Sequence, residues 1–253
     1  MSGCTAHAGQ VLETGSAQVN SRRRAARRGW YDPAMTAPRF LVAASEPPEI
    51  GFDRLLAEIR SCRHCERELP FGPRPVLRGR PTARLLIISQ APGSRVHETG
   101  LSFDDRSGDR LRSWLGLDRA AFYDESRIAI IGMGFCYPGR DRSGGDLPPR
   151  PECAPLWHLR LRPYFAEVRL TLLVGSHAIR HYLPQTRRQS MREAVRGWRD
   201  HLPEYFVLPH PSWRTTVWER ANPWFTAEVL PELRTAVAAA LPPPFPPPQA
   251  GEG

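Results

Sequence analysis

The sequence contains no lysine, although it carries a formal net charge of +9; all 35 of its Lys+Arg residues are arginine. That absence excludes Schiff-base chemistry through a lysine side chain. No run of about 18 apolar residues is present, so no segment reads as a membrane-spanning helix. The first residues lack the apolar core of a signal peptide, and a soluble cytoplasmic protein is the expectation. The chain has neither a Gly-x-Ser-x-Gly elbow nor a metal-hydrolase histidine pair, which removes the usual supports for a small-molecule hydrolase. Cysteine is scarce, with five residues. In a reducing compartment so few thiols argue for a metal or a catalytic role rather than for disulfides.

What is present suits one sizeable domain with tails. The apolar fraction of 41% in 253 residues supports a true core. The basic charge suits a polyanion such as DNA, although an all-arginine set also follows from a GC-rich coding bias. Residues 1–47 are small, polar and arginine-rich (Arg22-Arg23-Arg24, Arg27-Arg28). They read as a disordered arm, or as an extension upstream of a start at Met35. Residues 242–253 form a proline-rich tail, also read as disordered. The folded domain is expected at 48–241, as a monomer.

Between the tails, short apolar runs alternate with segments of helical periodicity. Strands are expected at Arg84–Ser89, Ile128–Met133, Leu170–Val174 and Tyr205–Leu208. Helices are expected at Phe52–Arg60, Gly108–Leu117 with Ser107 as N-cap, Pro155–Phe165, Ser176–Leu183, Met191–Trp198 and Pro223–Leu241. Strands alternating with helices predict an α/β fold: a three-layer αβα sandwich around a central four-stranded parallel sheet. Continuous runs such as Leu170-Thr171-Leu172-Leu173-Val174 suit strands buried on both faces. In such sheets ligands bind at the carboxyl ends of the strands. Each strand end here is polar or glycine-rich, which points to a site there.

Two of those ends carry recognisable segments. Ser89-Gln90-Ala91-Pro92-Gly93, followed by Thr99-Gly100-Leu101-Ser102-Phe103 and Ser107-Gly108-Asp109-Arg110-Leu111, resembles the first motif of the uracil-DNA glycosylase superfamily. Its nearest branch is the iron–sulfur one, family four. His210-Pro211-Ser212 resembles the superfamily's last motif. Met133-Gly134-Phe135-Cys136-Tyr137-Pro138-Gly139 and Asp146-Leu147-Pro148-Pro149-Arg150-Pro151-Glu152-Cys153 are similar to segments of a bacterial group in that superfamily. The likeness covers about residues 52–238.

The resemblance implies a DNA repair enzyme that flips a damaged nucleotide out of the stack and hydrolyses the bond between base and sugar. Gln90, Ala91, Pro92 and Gly93 would bring backbone amides close to the substrate, and Phe103 would stack on the uracil. His210 would donate a hydrogen bond to the leaving base. Ser212 would hold phosphate, while Trp213 or Arg214 would wedge into the gap. The sequence departs from that pattern in three places. Family four has Glu where this chain has Gln90, a catalytic candidate that can orient a water but cannot act as a general base. Other branches have Asp or Asn at the place of Ala91. A uracil-reading Asn corresponds to Gly132. Glu98, Asp104 and Asp105 are candidates for the missing carboxylate, and His97 for polarising the base. A catalytically inactive nucleic-acid-binding relative is the alternative.

Cys62-x-x-Cys65 lies after the first helix, Cys136 ends the second strand, and Cys153 follows in the next loop. Cysteines in two paired clusters read as a metal site. The resemblance implies a four-iron four-sulfur (4Fe-4S) cluster. Zinc is also served by four thiolates, and small buried thiols also pack as hydrophobes. Cys4 lies in the arm, outside this set.

Overall fold

The computed structural model describes residues 48–142 and 144–241. The arm and the tail lie outside the described residues.

Four short strands, β1 (Leu85–Ser89), β2 (Ile128–Gly132), β3 (Leu170–Val174) and β4 (Tyr205–Leu208), form one sheet in the order β2-β1-β3-β4. Every pairing is parallel. The interiors of β2 and β3 are buried throughout, as continuous aliphatic runs require when helices cover both faces. Ile87, Leu172, Leu173, Val174, Phe206 and Val207 are all inaccessible to solvent (0%). The α/β layered architecture expected from the alternation is the one observed.

The helices around the sheet are α1 (Pro48–Arg60), α2 (Ser94–Thr99), α3 (Arg106–Leu115), α4 (Arg119–Phe122), α5 (Cys153–Leu161), α6 (Ser176–Tyr182), α7 (Met191–Arg196), α8 (Arg214–Ala221) and α9 (Leu230–Ala240). Helix α5 continues into a 3₁₀ turn at Arg162–Phe165, and α9 is preceded by a π-helical turn at Phe225–Val229. Helix α3 differs from expectation at both ends. Its N-cap is Asp105, whose Oδ1 accepts from Gly108 N at 2.9 Å, so Ser107 falls inside the first turn. Aspartate caps as well as serine does, and Asp105 supplies the extended backbone a cap needs. Gly116, left-handed at φ 69°, ends the helix before Leu117.

The strand order places the site. From β1 the chain runs outward to β2, then returns across β1 to β3. Successive connections therefore leave β1 on opposite sides, and the crevice between the carboxyl ends of β1 and β3 is the topological switch point. Among the described residues no helix is long and apolar enough to cross a membrane.

Candidate functional site

The parallel register levels the strand ends. Ser89 pairs with Gly132 and Val174 with Leu208, so the segments after β1 and β4 emerge at the same edge. Beyond β1 the backbone stays knitted to β2's exit: Met133 N donates to Ser89 O at 2.9 Å, and Gly134 N to Gln90 O at 3.0 Å. Gln90, Ala91 and Gly93 are half-buried, Pro92 is buried, and Gly93 caps α2 in extended conformation. This is a rigid turn with its backbone near the surface.

His210 follows β4 and lies against Gly175 at the end of β3. A Cβ on Gly175 would stand 3.2 Å from His210 Cβ, and Gly175 is left-handed at φ 90°. The histidine's own carbonyl is held twice, by Ser212 N at 2.8 Å and by the Thr215 hydroxyl. Its ring keeps some open surface but is packed densely enough that desolvation lowers its pKa. The negative charge of Asp105 opposes that shift and His177 adds to it. His210 is therefore a neutral imidazole at pH 7, with one N–H to donate.

The loop between α2 and α3 carries Phe103 and Asp105, of which Asp105 comes within electrostatic reach of His210. Phe103 is 8% exposed, edge-on to Phe122, and is the single non-glycine residue at positive φ (57°) among the described residues. Left-handed backbone is costly for a bulky residue and persists only where its surroundings enforce it. Three of the expected carboxylates separate here. Asp104 is bound by Arg119 at 2.9 Å and Arg95 at 4.0 Å, and the Arg119 hydrogen bond holds its pKa below the ordinary value. Glu98 is exposed. Asp105 alone is felt electrostatically by His210, and the α3 cap uses only its Oδ1. His97 lies beside Tyr137, with ring centroids 5.8 Å apart, and its Nδ1 is buried without a partner.

Gly132 cannot take the asparagine that its place in the motif suggests. A Cβ there would stand 2.4 Å from Gly134 O, and its carbonyl already accepts from His158 Nε2 at 2.9 Å. The sequence reading also missed Asp146. An antiparallel bridge between Arg140 and Asp146 folds this segment back, and Asp146 Oδ2 lies 3.4 Å from where a Gly93 Cβ would be. Partial burial raises its pKa; Arg140, at 3.8 Å, opposes that and Asp105 adds to it. The Gly144-Gly145 pair is the signal that could have revealed the turn.

At the rim, Trp213 is 74% exposed and Arg214 lies over its ring at 5.4 Å. Ser212, half-buried, is within 3.5 Å of the Thr215 hydroxyl. All three sit at the start of α8, on the edge that carries His210.

The four cysteines line one small pocket beside β2's exit. Its other walls include Leu69, Pro73, Phe135 and Trp157. Phe135 N donates to Cys153 Sγ at 3.3 Å. Burial pushes the Cys136 thiol up to about 11 and Cys153 to about 12. Among the described residues no three His, Cys, Asp or Glu side chains converge as they would on a single metal ion. The four thiols line the same space, and four thiolates are a donor set that zinc and an iron–sulfur centre both accept.

The segments between and after the strands thus carry a glycine–proline turn, a left-handed aromatic, a carboxylate near a histidine, and an exposed tryptophan–arginine pair. A family model described as the uracil DNA glycosylase superfamily matches residues 77–234, more than half of the chain and all of these pieces, and the chain belongs to that superfamily.

Proposed function

We propose that this protein is a monofunctional DNA glycosylase that hydrolytically excises uracil, or a related deaminated base, from DNA. The observation that supports the reading is that the Gln90–Gly93 turn and His210 both follow strands of one parallel sheet at its carboxyl edge, with the Asp105 charge within electrostatic reach of His210.

In this reading the extrahelical base enters beside the turn, where the N–H groups of Ala91 and Gly93 and the Gln90 amide meet its polar edge. Phe103 stacks on its face. Gly132 contributes space and not a reading side chain, because nothing larger fits there. Asp105 holds the attacking water with the oxygen that α3 leaves free. Water adds to the sugar C1′ as the glycosidic bond breaks, its proton passing to Asp105, and the bond's electron pair leaves with the base. His210 Nε2–H or Nδ1–H donates to the base carbonyl as negative charge grows on it. With no lysine in the chain, a Schiff base through a lysine side chain is impossible, which suits an enzyme that leaves the abasic product uncut. Ser212 holds a phosphate, and Trp213 with Arg214 fills the space the base vacates.

Cys62, Cys65, Cys136 and Cys153 would hold a 4Fe-4S cluster, tying the turn after α1 to the exit of β2 and the start of α5. Its contribution is structural. Protein purified anaerobically is expected to be brown, with a broad absorbance near ~400 nm. A colourless, iron-free preparation would overturn the cluster, and stoichiometric zinc in it would reassign the site.

The function is tested with oligonucleotides containing single uracil, hypoxanthine or xanthine residues, treated with alkali after incubation. Strand cleavage at uracil is the expected result, appearing only after alkali. Tight binding without cleavage of any of the three would favour a non-catalytic DNA binder, a reading to which Gln90, Ala91 and Gly132 lend weight.

A further inference from the structure

Phe71 is an aromatic side chain that the proposed chemistry does not use. It is 62% exposed, against 2% for Tyr137, on which it stacks with centroids 5.4 Å apart and planes 26° apart. One ring face is thus fixed to a buried partner and the other is turned to solvent. The support beneath it is firm. Tyr137 shares its hydroxyl with Asp146 and Arg140, and His97 closes the cluster, 6.2 Å from Phe71. The segment carrying Phe71 is stiffened by Pro70, Pro73 and Pro75. It turns through Gly72 N bonded to Leu69 O at 3.0 Å and is clasped by Val76 N to Phe135 O at 2.7 Å.

Its location matters as much as its rigidity. From Phe71 a short relay leads to the base-entry turn: Phe71 stacks on Tyr137, Tyr137 bonds Asp146, and Asp146 abuts Gly93. Two arginines are tied to the neighbours of Phe71: Arg140 to Tyr137, and Arg74, close to Phe71 in the chain, to the residue that follows His97. Arg140 Nη2 donates to Ser94 Oγ at 3.0 Å, and Arg74 Nη1 to the Glu98 carbonyl at 2.9 Å. A flat, pre-ordered aromatic face beside arginines is the composition of a stacking platform for an unpaired base with its phosphate.

We propose that Phe71 stacks on an unpaired nucleobase flanking the flipped one, with Arg74 and Arg140 on the adjoining phosphates. This makes a strand that is single-stranded or opened next to the lesion the preferred substrate. The inference rests on the DNA glycosylase reading for its ligand, but not on catalysis.

The test uses single-stranded oligonucleotides with a central 2′-fluorodeoxyuridine, which resists hydrolysis, and 2-aminopurine at successive flanking positions. One flanking position is expected to change fluorescence on binding. Phe71→Ala should abolish that change and weaken binding about tenfold, leaving the slope of affinity against salt as it was. Phe71→Trp should restore both. Arg74→Ala should instead reduce the salt slope by about one. The platform is overturned if Phe71→Ala binds as wild type does, or if it weakens binding while every 2-aminopurine signal persists. A wild-type protein that excises no base yet shows the Phe71-dependent signal would sink the glycosylase reading and leave the platform standing. Uracil excision with no such signal would do the reverse.

Discussion

His210→Ala is expected to slow excision of uracil about 100-fold or more under single-turnover conditions, because it removes a fixed donor aimed at the charge that forms as the base leaves. The loss should fall on the rate at saturating enzyme, with little change in affinity for undamaged DNA, since His210 sits behind the rim that Trp213 and Arg214 form. Its pH dependence is distinctive. Dense packing lowers the pKa of His210, so the ring is already neutral at pH 7 and remains a donor as pH rises. The rate should hold level from about pH 7 upward. A cationic donor with an ordinary imidazole pKa of about 6.5 would lose rate over that range, and such a decline would overturn the assignment. The acid side is less informative. His158 is buried, and desolvation takes its pKa down to about 4. The unfolded chain therefore gains a proton first, and folding stability is lost as pH falls from the ordinary imidazole value towards 4. Unfolding and chemistry mix there.

The parts of this site that sequence could reveal are those that strands deliver. A parallel sheet buried on both faces leaves an unmistakable aliphatic run, and the residue after such a run must emerge at the sheet edge. The sequence therefore puts Gln90 and His210 at the same edge of the sheet. Helices α2 and α8 escaped notice because Ser94–Thr99 and Arg214–Ala221 bury little (Val96 and Thr215) and so carry no apolar stripe to read. In the sequence Asp146 is one residue of a longer motif. Its approach to Gly93 depends on a backbone reversal at Gly144-Gly145, and pairing across a turn leaves no periodic trace. Gly132 is the instructive case. From sequence it looks like a lost asparagine, whereas in the structure the carbonyl of Gly134 occupies the space a side chain would need. Asp105 stood level with Asp104 and Glu98 in the sequence, and only the arginines around Asp104 and the approach of Asp105 to His210 separate them.

Gly108→Ala should be the most damaging small substitution in the domain. A Cβ at Gly108 would stand 1.7 Å from Phe103 O and 2.9 Å from Phe103 Cβ, a backbone collision that no rotamer change relieves. Either α3 lifts away from the loop or Phe103 leaves its left-handed conformation. The first movement breaks the Asp105 cap, because the amide it accepts from belongs to Gly108. The second withdraws the ring proposed to stack on the base. Overpacking of this kind costs on the order of 3 kcal/mol, which for a domain of this size lowers the melting temperature by about 10 °C. Excision should fall further than stability alone explains, since Phe103 and Asp105 are displaced together. Gly197→Ala is the matched control: its Cβ would meet nothing closer than Glu193 O at 3.6 Å, and it should melt and react as wild type does. Thermal melts and single-turnover rates of the two variants, measured below the lower transition, separate these effects. A Gly108→Ala protein with wild-type melting and wild-type rate would mean that α3 does not pack on Phe103, and would remove the basis for assigning the stacking role to that ring.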